Sequence, residues 1–302
     1  MASRALDDLL DRVPALAGRR TVTDLPGGLT NANYKVVTAS GAYVVRVPDS
    51  TSALLAIDRD NEHRNSVAAA ETGVGAPVVA FLPREAVLVL EFIDGETLSA
   101  RRLRDGTDLR RISAACRRLH GARRFASDFN MFEIQRRYLR LVAERGFRLP
   151  ERYLDFGPQV TAMRAAMTAR PEPSVPCNND LLAENFIDDG SDIRIIDYEY
   201  SGNNDPCFEL GNIWSESALS LEQLELLVTS YYGARQRNRI ARARLWGLMS
   251  KYGWTLWASI QASVSPINFD FWSWGMEKYE RAIAEFDGPA FARLLDDVAR
   301  ED

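Results

Sequence analysis

The sequence predicts an α+β protein of two lobes, a small antiparallel β lobe followed by a larger, mainly α lobe. Two observations predict this division. Short β-branched and aromatic runs occupy the first third of the chain, whereas long helical patterns begin after Ile93-Asp94-Gly95 and continue to the end. A chain of 302 residues is long enough to build two lobes around a buried core. We therefore expect an N-terminal lobe over residues 1–93 and a C-terminal lobe over residues 94–302.

Local patterns predict the elements of the N-terminal lobe. Leucines recur at helical spacing near the start of the chain, and a loop rich in Gly and Asn follows. Two β-branched runs flank a turn that contains Gly, which is typical of a β-hairpin. In chain order we predict a helix over 3–18, a loop over 26–33, strands over 34–38 and 43–47, a helix over 58–72, and strands over 78–81 and 86–92.

The C-terminal lobe is predicted to be helical except for one interruption. Apolar residues recur with a helical period through most of it, but one polar stretch breaks the pattern with a loop and two short strands. In chain order we predict helices over 107–120, 133–144 and 158–169, the interruption over 177–200, and helices from residue 221 to the end.

Composition excludes several classes of protein. A formal net charge of -5 lacks the basic character of a nucleic-acid binder. Cys116, Cys177 and Cys207 are scattered, which favours neither a disulfide framework nor a metal cluster and suits a reducing compartment. The most apolar run, 86–90, stops at Glu91, so we expect no membrane span, and the N-terminus does not resemble a signal peptide. These features predict a cytoplasmic protein without a membrane or nucleic-acid partner.

The interruption holds the polar residues that point to chemistry. Asp180 and Asn185 follow the spacing D-x-x-x-x-N, and Asp197 comes directly after an apolar strand. This arrangement is typical of kinase catalytic loops, because phosphoryl transfer needs one carboxylate at the attacking hydroxyl and two oxygen ligands for Mg²⁺. Asp and Asn are also common in turns, so the spacing alone is weak evidence. The apolar strand before Asp197 and the β lobe upstream favour the catalytic interpretation.

The sequence resembles the choline/ethanolamine kinase family, within the aminoglycoside-phosphotransferase-like group. The segments NNDLLAENF and IDYEYSGNNDPCFELGN carry the resemblance, and GGLTNANYKV, YVVRVP and WTLWASIQASVSPINFDFW extend it over residues 25–280. It implies a protein-kinase-like fold, ATP and Mg²⁺ as cofactors, Asp180 as the catalytic residue, and Asn185 and Asp197 as metal ligands. Glu199 fits a second metal site or a surface acid equally well. One position departs from the family, since Asn178 stands where its members usually have His.

The resemblance also implies a loop over the phosphates and a hinge at the adenine. The loop includes Gly28, Thr30 and Asn31, where glycine allows backbone N–H groups to approach anionic oxygens closely. The hinge is expected at Glu91 to Ile93, which would offer backbone groups to the nucleotide. A Gly-Gly pair occurs in many ordinary turns, so its place just before the hairpin is what gives it weight.

The cation for the phosphates is expected to be Arg46. The only lysines are Lys35, Lys251 and Lys278, against 34 arginines, so an arginine can take the place that lysine has in protein kinases. By resemblance, Arg46 would hold the phosphates and Glu62 would fix it as an ion pair. Lys35 is the alternative. Other acids lie close to Glu62, so its assignment is the weaker of the two.

Aromatic residues in the last third suggest where the acceptor binds. Trp254 and Trp257 share a face of a predicted helix, which most often means hydrophobic core. Aromatic faces also bind a quaternary ammonium, which has no N–H to donate. By resemblance, Trp254, Trp257, Trp274 and Tyr200 form a cage, and Glu216 attracts the cation.

These observations leave three hypotheses of function. The leading one is transfer of the ATP γ-phosphate to the hydroxyl of choline. A kinase for ethanolamine or another cationic amino alcohol is the close alternative, although many aromatics favour a methylated ammonium. The third is a ligand-binding pseudokinase, to which Asn178 alone points. Asp180, Asn185 and Asp197 are all present and argue against it.

Overall fold

The computed structural model describes residues 4–48 and 54–301 of the chain. It combines one five-stranded antiparallel sheet with a larger body of helices, which confirms the predicted fold class. The first elements are α1 (Arg4–Leu10), β1 (Thr21–Leu25), β2 (Asn31–Thr38), β3 (Gly41–Pro48), α2 (Arg59–Glu71), β4 (Val78–Leu82), β5 (Val87–Glu91) and β6 (Glu96–Thr97). The others are α3 (Ala100–Arg104), α4 (Leu109–His120), α5 (Met131–Arg145), α6 (Gly157–Ala169), β7 (Val175–Cys177), β8 (Phe186–Asp188), β9 (Ile193–Ile195), β10 (Gly202–Asn204), α7 (Pro206–Glu216), α8 (Leu221–Tyr232), α9 (Arg237–Val264), α10 (Phe271–Phe286) and α11 (Phe291–Val298).

The sheet has the strand order β1-β2-β3-β5-β4. The predicted hairpin is confirmed as β2 and β3, which pair from Asn31 with Pro48 to Thr38 with Gly41. The prediction missed β1, whose sequence TVTDL is short and mostly exposed. One face of the sheet packs on the N-terminal segment in a small apolar cluster that includes Leu6, Leu10, Val13, Leu16, Val36, Val45, Val87 and Val89.

The single helix predicted over residues 3–18 is wrong. Ser3 lies outside the described residues, and the chain forms α1 followed by a separate 3₁₀ turn at Pro14–Leu16. Proline disfavours helical geometry in the residue before it, and Val13 is extended, with φ −104° and ψ 110°. The break still allows Leu16 to reach the same apolar cluster as Leu10.

The helical body is built around α9, which has 28 residues and is buried over most of its length. The helices α5, α7, α10 and α11 all pack on it. Sequence analysis missed α3 and α7, although Asp205 caps α7 through the Cys207 N–H and Pro206 occupies its first turn. Both residues are ordinary start signals for a helix. No helix of the described part of the chain is long and apolar enough to cross a membrane.

Glycines allow α9 to approach two of its neighbours, α7 and α10, closely. A Cβ on Gly211 of α7 would lie 2.0 Å from the carbonyl oxygen of Ala243, and one on Gly247 of α9 would lie 2.5 Å from the carbonyl oxygen of Gly211. On the other side, a Cβ on Gly275 of α10 would lie 2.4 Å from the Cβ of Ala258. The three helices therefore approach more closely than residues with side chains would permit at these points.

A cluster of charged residues joins the hairpin of β8 and β9 to helices α3 and α4. Asp188 accepts hydrogen bonds from Arg102 at 2.6 Å and from Arg111 at 2.7 Å, and both arginines also bind Asp108. The bonds from Arg111 and Arg102 hold the pKa of Asp188 well below its usual range. Because the hairpin begins just after Asn185, this cluster helps to fix one end of the loop that carries Asp180.

We expect Gly211→Ala to destabilise the fold by about 1–3 kcal/mol, because a methyl group at the crossing must push two helices apart. Chemical denaturation measures the change in the free energy of unfolding. The matched control is Gly157→Ala at the start of α6, where φ is −52° and nothing lies within 4 Å of the new Cβ. Equal stability of the two variants would show that the close crossing is not required.

Candidate active site

The loop between β7 and β8, which carries the predicted catalytic residue Asp180, is held in place by side chains of α7. Glu209 accepts the backbone N–H groups of Asn178 at 3.0 Å and of Asn179 at 2.8 Å. Three residues along the same helix, Asn212 accepts the N–H of Leu181 at 2.7 Å. The loop that carries Asp180 is therefore fixed by side chains that sequence analysis did not select. Both residues belong to the segment ELGN, which is part of the resemblance to the kinase family and could have indicated them.

Asn178 joins the catalytic loop to the segment that carries Asp197. Its side-chain nitrogen donates to the carbonyl oxygens of Ile196 at 3.1 Å and Asp197 at 2.7 Å. Its side-chain oxygen accepts the N–H of Asp180 at 3.1 Å. Asn can donate and accept at once, so one side chain makes all three contacts.

Asn179 stabilises the sharp bend before Asp180. Its φ is 70°, in the left-handed region that Asn tolerates better than most residues. Its amide nitrogen donates to the carbonyl oxygens of Cys177, Tyr200 and Gly202 at 3.1–3.3 Å. These bonds tie the loop to strand β10 and to Tyr200, one of the predicted acceptor residues.

Asn185 and Asp197 meet at the open end of the β8–β9 hairpin, one just before β8 and the other shortly after β9. The amide nitrogen of Asn185 donates to the carbonyl oxygen of Asp180 at 2.7 Å, so its remaining oxygen is the atom able to bind a metal. The backbone of Asn185 also accepts the N–H of Ile196 at 3.0 Å. Asp197 has a φ of 63°, an uncommon conformation for a residue other than glycine. An amide oxygen and a carboxylate are ligands that suit Mg²⁺.

Arg46 occupies the centre of a buried charge cluster. Its side chain is 9% exposed and lies 2.6 Å from Asp197, 3.2 Å from Glu62 and 3.8 Å from Glu199. Burial opposes the charged form, but these carboxylates raise the pKa of Arg46 above its usual value. Arg59, which sequence analysis missed, pairs with Glu62 at 2.6 Å and with Glu199 at 3.2 Å. Burial and the charge of Asp197 raise the pKa of Glu199 to about 7.

Lys35, the alternative to Arg46 as the phosphate-binding cation, lies outside the carboxylate cluster. Its ammonium sits 3.6 Å from the centre of the Phe92 ring, whereas Arg46 makes the contacts with Glu62 and Asp197. Lys35 and Arg46 belong to neighbouring strands, β2 and β3, and only the arginine reaches the carboxylate cluster.

The glycine loop is tied to Glu199 through its polar side chains. Thr30 donates to Glu199 at 2.8 Å and Asn31 donates at 2.9 Å, and all three residues are buried. Thr30 and Asn31 therefore face the carboxylate cluster with their side chains. A Cβ on Gly28 would lie 2.4 Å from the carbonyl oxygen of Asn31, so this turn requires glycine.

A cleft of about 390 Å³ brings most of the predicted nucleotide residues together. The glycine loop covers one side, the hinge at Glu91–Ile93 forms the back, and polar groups from the catalytic loop close the other side. Its lining includes Gly27, Gly28, Val44, Arg46, Leu90, Glu91, Phe92, Ile93, Asn185, Ile196 and Asp197. Three of the predicted nucleotide residues, Thr30, Asn31 and Glu62, are not part of this lining. Glu62 supports Arg46 from outside the cleft, and the side chains of Thr30 and Asn31 are bonded to Glu199.

The predicted acceptor residues form one continuous cluster of rings. Tyr200 and Trp254 meet edge to face with ring centres 4.9 Å apart, and Trp257 donates to the Tyr200 hydroxyl at 2.8 Å. Trp257 and Trp274 are 5.6 Å apart. Glu216 lies at the end of α7 and pairs with a residue that sequence analysis did not place here, Lys278 of α10.

Asp180 is linked by hydrogen bonds to the segment that carries Asp197, through Asn178, and its neighbour Asn179 bonds to the backbone of Tyr200. Burial raises the pKa of Asp180 well above its usual value, and the charges of Glu216, Asp197 and Glu199 raise it further, while Lys278 acts in the opposite direction. The carboxyl group of Asp180 therefore interacts electrostatically with Asp197 and Glu199 and also with the Glu216–Lys278 pair. A carboxylate whose proton affinity is raised in this way is suited to accept a proton.

Three buried groups next to the loop, His120, Cys177 and Glu209, place potential ligand atoms within 4.8 Å of one another. Both oxygens of Glu209 already accept backbone N–H groups, and His120 Nδ1 lies 2.6 Å from the Tyr231 hydroxyl. These contacts assign the group to support of the loop. Cys116, Cys177 and Cys207 are all free and buried.

Comparison with known proteins identifies relatives that share the fold and the family of this chain. A choline/ethanolamine kinase family protein from Mesorhizobium loti has a solved structure with a TM-score of 0.85 and 31% identity, and the match covers 98% of each chain. Ethanolamine kinase 2 from Rattus norvegicus is 28% identical over 84% of this chain and 73% of its own length.

The fold extends to more distant enzymes. The GDP complex of aminoglycoside 2'-phosphotransferase-IIIa matches with a TM-score of 0.68 and 13% identity, over 94% of this chain and 99% of the other. The family model for choline/ethanolamine kinases matches residues 22–237, from β1 through the catalytic loop to the start of α9. The chain therefore belongs to the choline/ethanolamine kinase family of ATP-dependent phosphotransferases that use an alcohol group as acceptor.

Proposed function

We propose that the chain transfers the γ-phosphoryl group of ATP, with Mg²⁺, to the hydroxyl of choline and releases phosphocholine. The position of Asp180 carries this proposal. Its N–H donates to Asn178, which also bonds to the carbonyl oxygen of Asp197. The preceding residue, Asn179, bonds to the carbonyl oxygen of Tyr200, so Asp180 stands next to both the proposed metal ligands and the proposed acceptor rings. A base at this position can reach a hydroxyl that is held by the aromatic cluster.

The cleft is the proposed nucleotide site. We assign the loop at Gly28 to the phosphates, with Thr30 and Asn31 next to the cleft holding the loop on Glu199. Arg46 is assigned to the α- and β-phosphates, and the backbone of Glu91 and Ile93 to the adenine. Residues 1–93 and 94–302, the proposed lobes, both contribute to its lining.

Asn185 and Asp197 fit a bound Mg²⁺. Their available donors are an amide oxygen and a carboxylate at the rim of the cleft, and both side chains are half-buried. Bound Mg²⁺ would neutralise charge on the phosphates. The role of this chain is to hold those ligands through Arg46 and Asn178, and to place Asp180 where it orients the hydroxyl and takes its proton.

The acceptor is the finer part of the proposal. Four contacting rings suit a methylated ammonium, because cation–π attraction does not need an N–H donor. The carboxylate of Glu216 is linked to one of them, Trp274, through Lys278. Ethanolamine stays the second candidate, since Glu216 Oε1 is buried without a hydrogen-bond partner among the described residues and could accept an N–H. A phosphorylation assay with ATP and a panel of amino alcohols separates them.

The first prediction concerns proton transfer. We expect Asp180→Asn to lower kcat by roughly two orders of magnitude or more, since the amide cannot accept the proton. ATP affinity should stay near the native value. Asp192→Asn is the control, because Asp192 is an exposed carboxylate in the nearby β8–β9 turn. Native turnover in Asp180→Asn would remove Asp180 from the catalytic role.

The second prediction concerns the metal. Asp197→Asn should remove most of the gain in ATP affinity that Mg²⁺ confers, because a neutral amide is a weaker ligand than a carboxylate. Calorimetric titrations of ATP with Mg²⁺ and with a chelator measure that gain. Asp189→Asn, in the same hairpin, should keep the native gain. If Asp197→Asn keeps it as well, the metal is held elsewhere.

The third prediction concerns the cage. Trp257→Ala should raise KM for choline about three- to thirtyfold, since one cation–π contact is worth about 0.5–2 kcal/mol and 1.4 kcal/mol is tenfold. KM for ATP should change little. Trp272→Ala is the matched control, because Trp272 is on α10 but stacks with Arg148 at 3.8 Å.

A neutral alcohol tests the same point without a mutation. The analogue of choline with carbon in place of nitrogen should bind poorly to the native chain, because it gains no cation–π attraction. Equal affinity for choline and for this analogue would show that the rings are hydrophobic core and that the acceptor is a different alcohol.

A further inference from the structure

The acceptor cluster already contains a cation. The ammonium of Lys278 forms an ion pair with Glu216 Oε2 and lies 4.0 Å from the centre of the Trp274 ring. Both charged side chains are deeply buried, at 9% exposure for Lys278 and 4% for Glu216. The positive charge of Lys278 also acts to lower the pKa of Asp180.

This ammonium occupies the place that the proposed function gives to the acceptor. An ammonium 4.0 Å from a ring centre covers that face of Trp274, and a second cation cannot use the same face at the same time. Glu216 would also attract two cations that repel each other. The contacts of Lys278 and those expected of choline are therefore mutually exclusive at Trp274.

We propose that Lys278 is an internal competing cation and a specificity-determining residue, which a cationic acceptor must displace from Glu216 and Trp274. The inference rests on the proposed function for the location of the acceptor. A neutral alcohol cannot replace the charge of Lys278 at Glu216, so it leaves the cage closed. Lysine suits this role because its flexible four-carbon stem can change rotamer without movement of the helix.

The competing cation also explains how the fold tolerates Glu216. A buried carboxylate without a partner is costly, and Lys278 neutralises it when no acceptor is bound. Other nearby cations have different partners: Lys251 lies 4.1 Å from the Trp214 ring centre and 3.5 Å from Glu285. Lys278 is thus the cation that the structure places on Glu216.

The small number of lysines allows a direct test on the native protein. With ¹³C-labelled lysine, the side chains of Lys35, Lys251 and Lys278 give three sets of NMR signals, assigned with single Lys→Arg variants. We expect tetramethylammonium to move the Lys278 signals out of the shielded position above Trp274 and to leave those of Lys35 unchanged. Saturation of binding with the Lys278 signals unmoved, or no binding at millimolar concentration, would overturn the proposal.

Substitution gives the second measurement. Lys278→Met should lower the calorimetric Kd for tetramethylammonium about tenfold, and Lys278→Gln, which keeps a donor for Glu216, should lower it in the same direction. Lys251→Met is the comparison, because it removes a buried lysine that stacks on another tryptophan and has no ion pair with Glu216. The charge of Lys251 interacts with Glu216 only weakly, so its removal should lower the Kd much less than Lys278→Met does. An unchanged Kd in folded Lys278→Met or Lys278→Gln would show that Lys278 is only a structural partner of Glu216.

The proposed function and this inference can fail separately. Phosphorylation of choline while the Lys278 signals stay fixed would contradict the inference and keep the function. Displacement of Lys278 by tetramethylammonium in a chain that phosphorylates other alcohols but not choline would contradict the proposed acceptor and keep the inference.

Discussion

The buried guanidinium of Arg46 is the interaction on which the arrangement of the site depends. It joins strand β3 to Glu62 of helix α2 and to Asp197 beyond β9, so three separate parts of the chain meet at one charge. Such a cation is tolerated in the interior only because carboxylates surround it. Together with Arg59, two cations face the three acids Glu62, Asp197 and Glu199. The excess negative charge makes this point attractive to a divalent ion.

Much of this site could be predicted because its signals are local. The spacing of Asp180 and Asn185 and the apolar strand before Asp197 are visible within about twenty residues. Alternation along β3 separates Arg46 from the buried Val45, which packs on the other face of the sheet. Pro14, where the first helix is broken, is also a local signal, but the predicted helix over 3–18 rested on the leucine spacing alone.

The remainder depends on contacts between residues that are distant in sequence. Glu199 and Thr30 are 169 positions apart, and no local pattern indicates that the glycine loop is bonded to the carboxylate cluster. Glu209 reads as an ordinary helical acid until its two bonds to the loop backbone are seen. Lys278 lies on a helix whose aromatic residues drew attention to the acceptor, yet its pairing with Glu216 needs the crossing of two helices.

The crossing of α7 and α9 has a consequence for how the ring cluster can change. Asn212, beside Gly211 at this crossing, supports the catalytic loop, while Trp254 and Trp257 of α9 form two walls of the acceptor cluster. A mutation that tilts α9 would disturb the support of the Asp180 loop and the ring cluster at the same time. Replacement of a single side chain on α10, such as Lys278, leaves the crossing intact. A change of side chain on α10 can therefore alter the ring cluster without moving the two helices that hold the loop of Asp180.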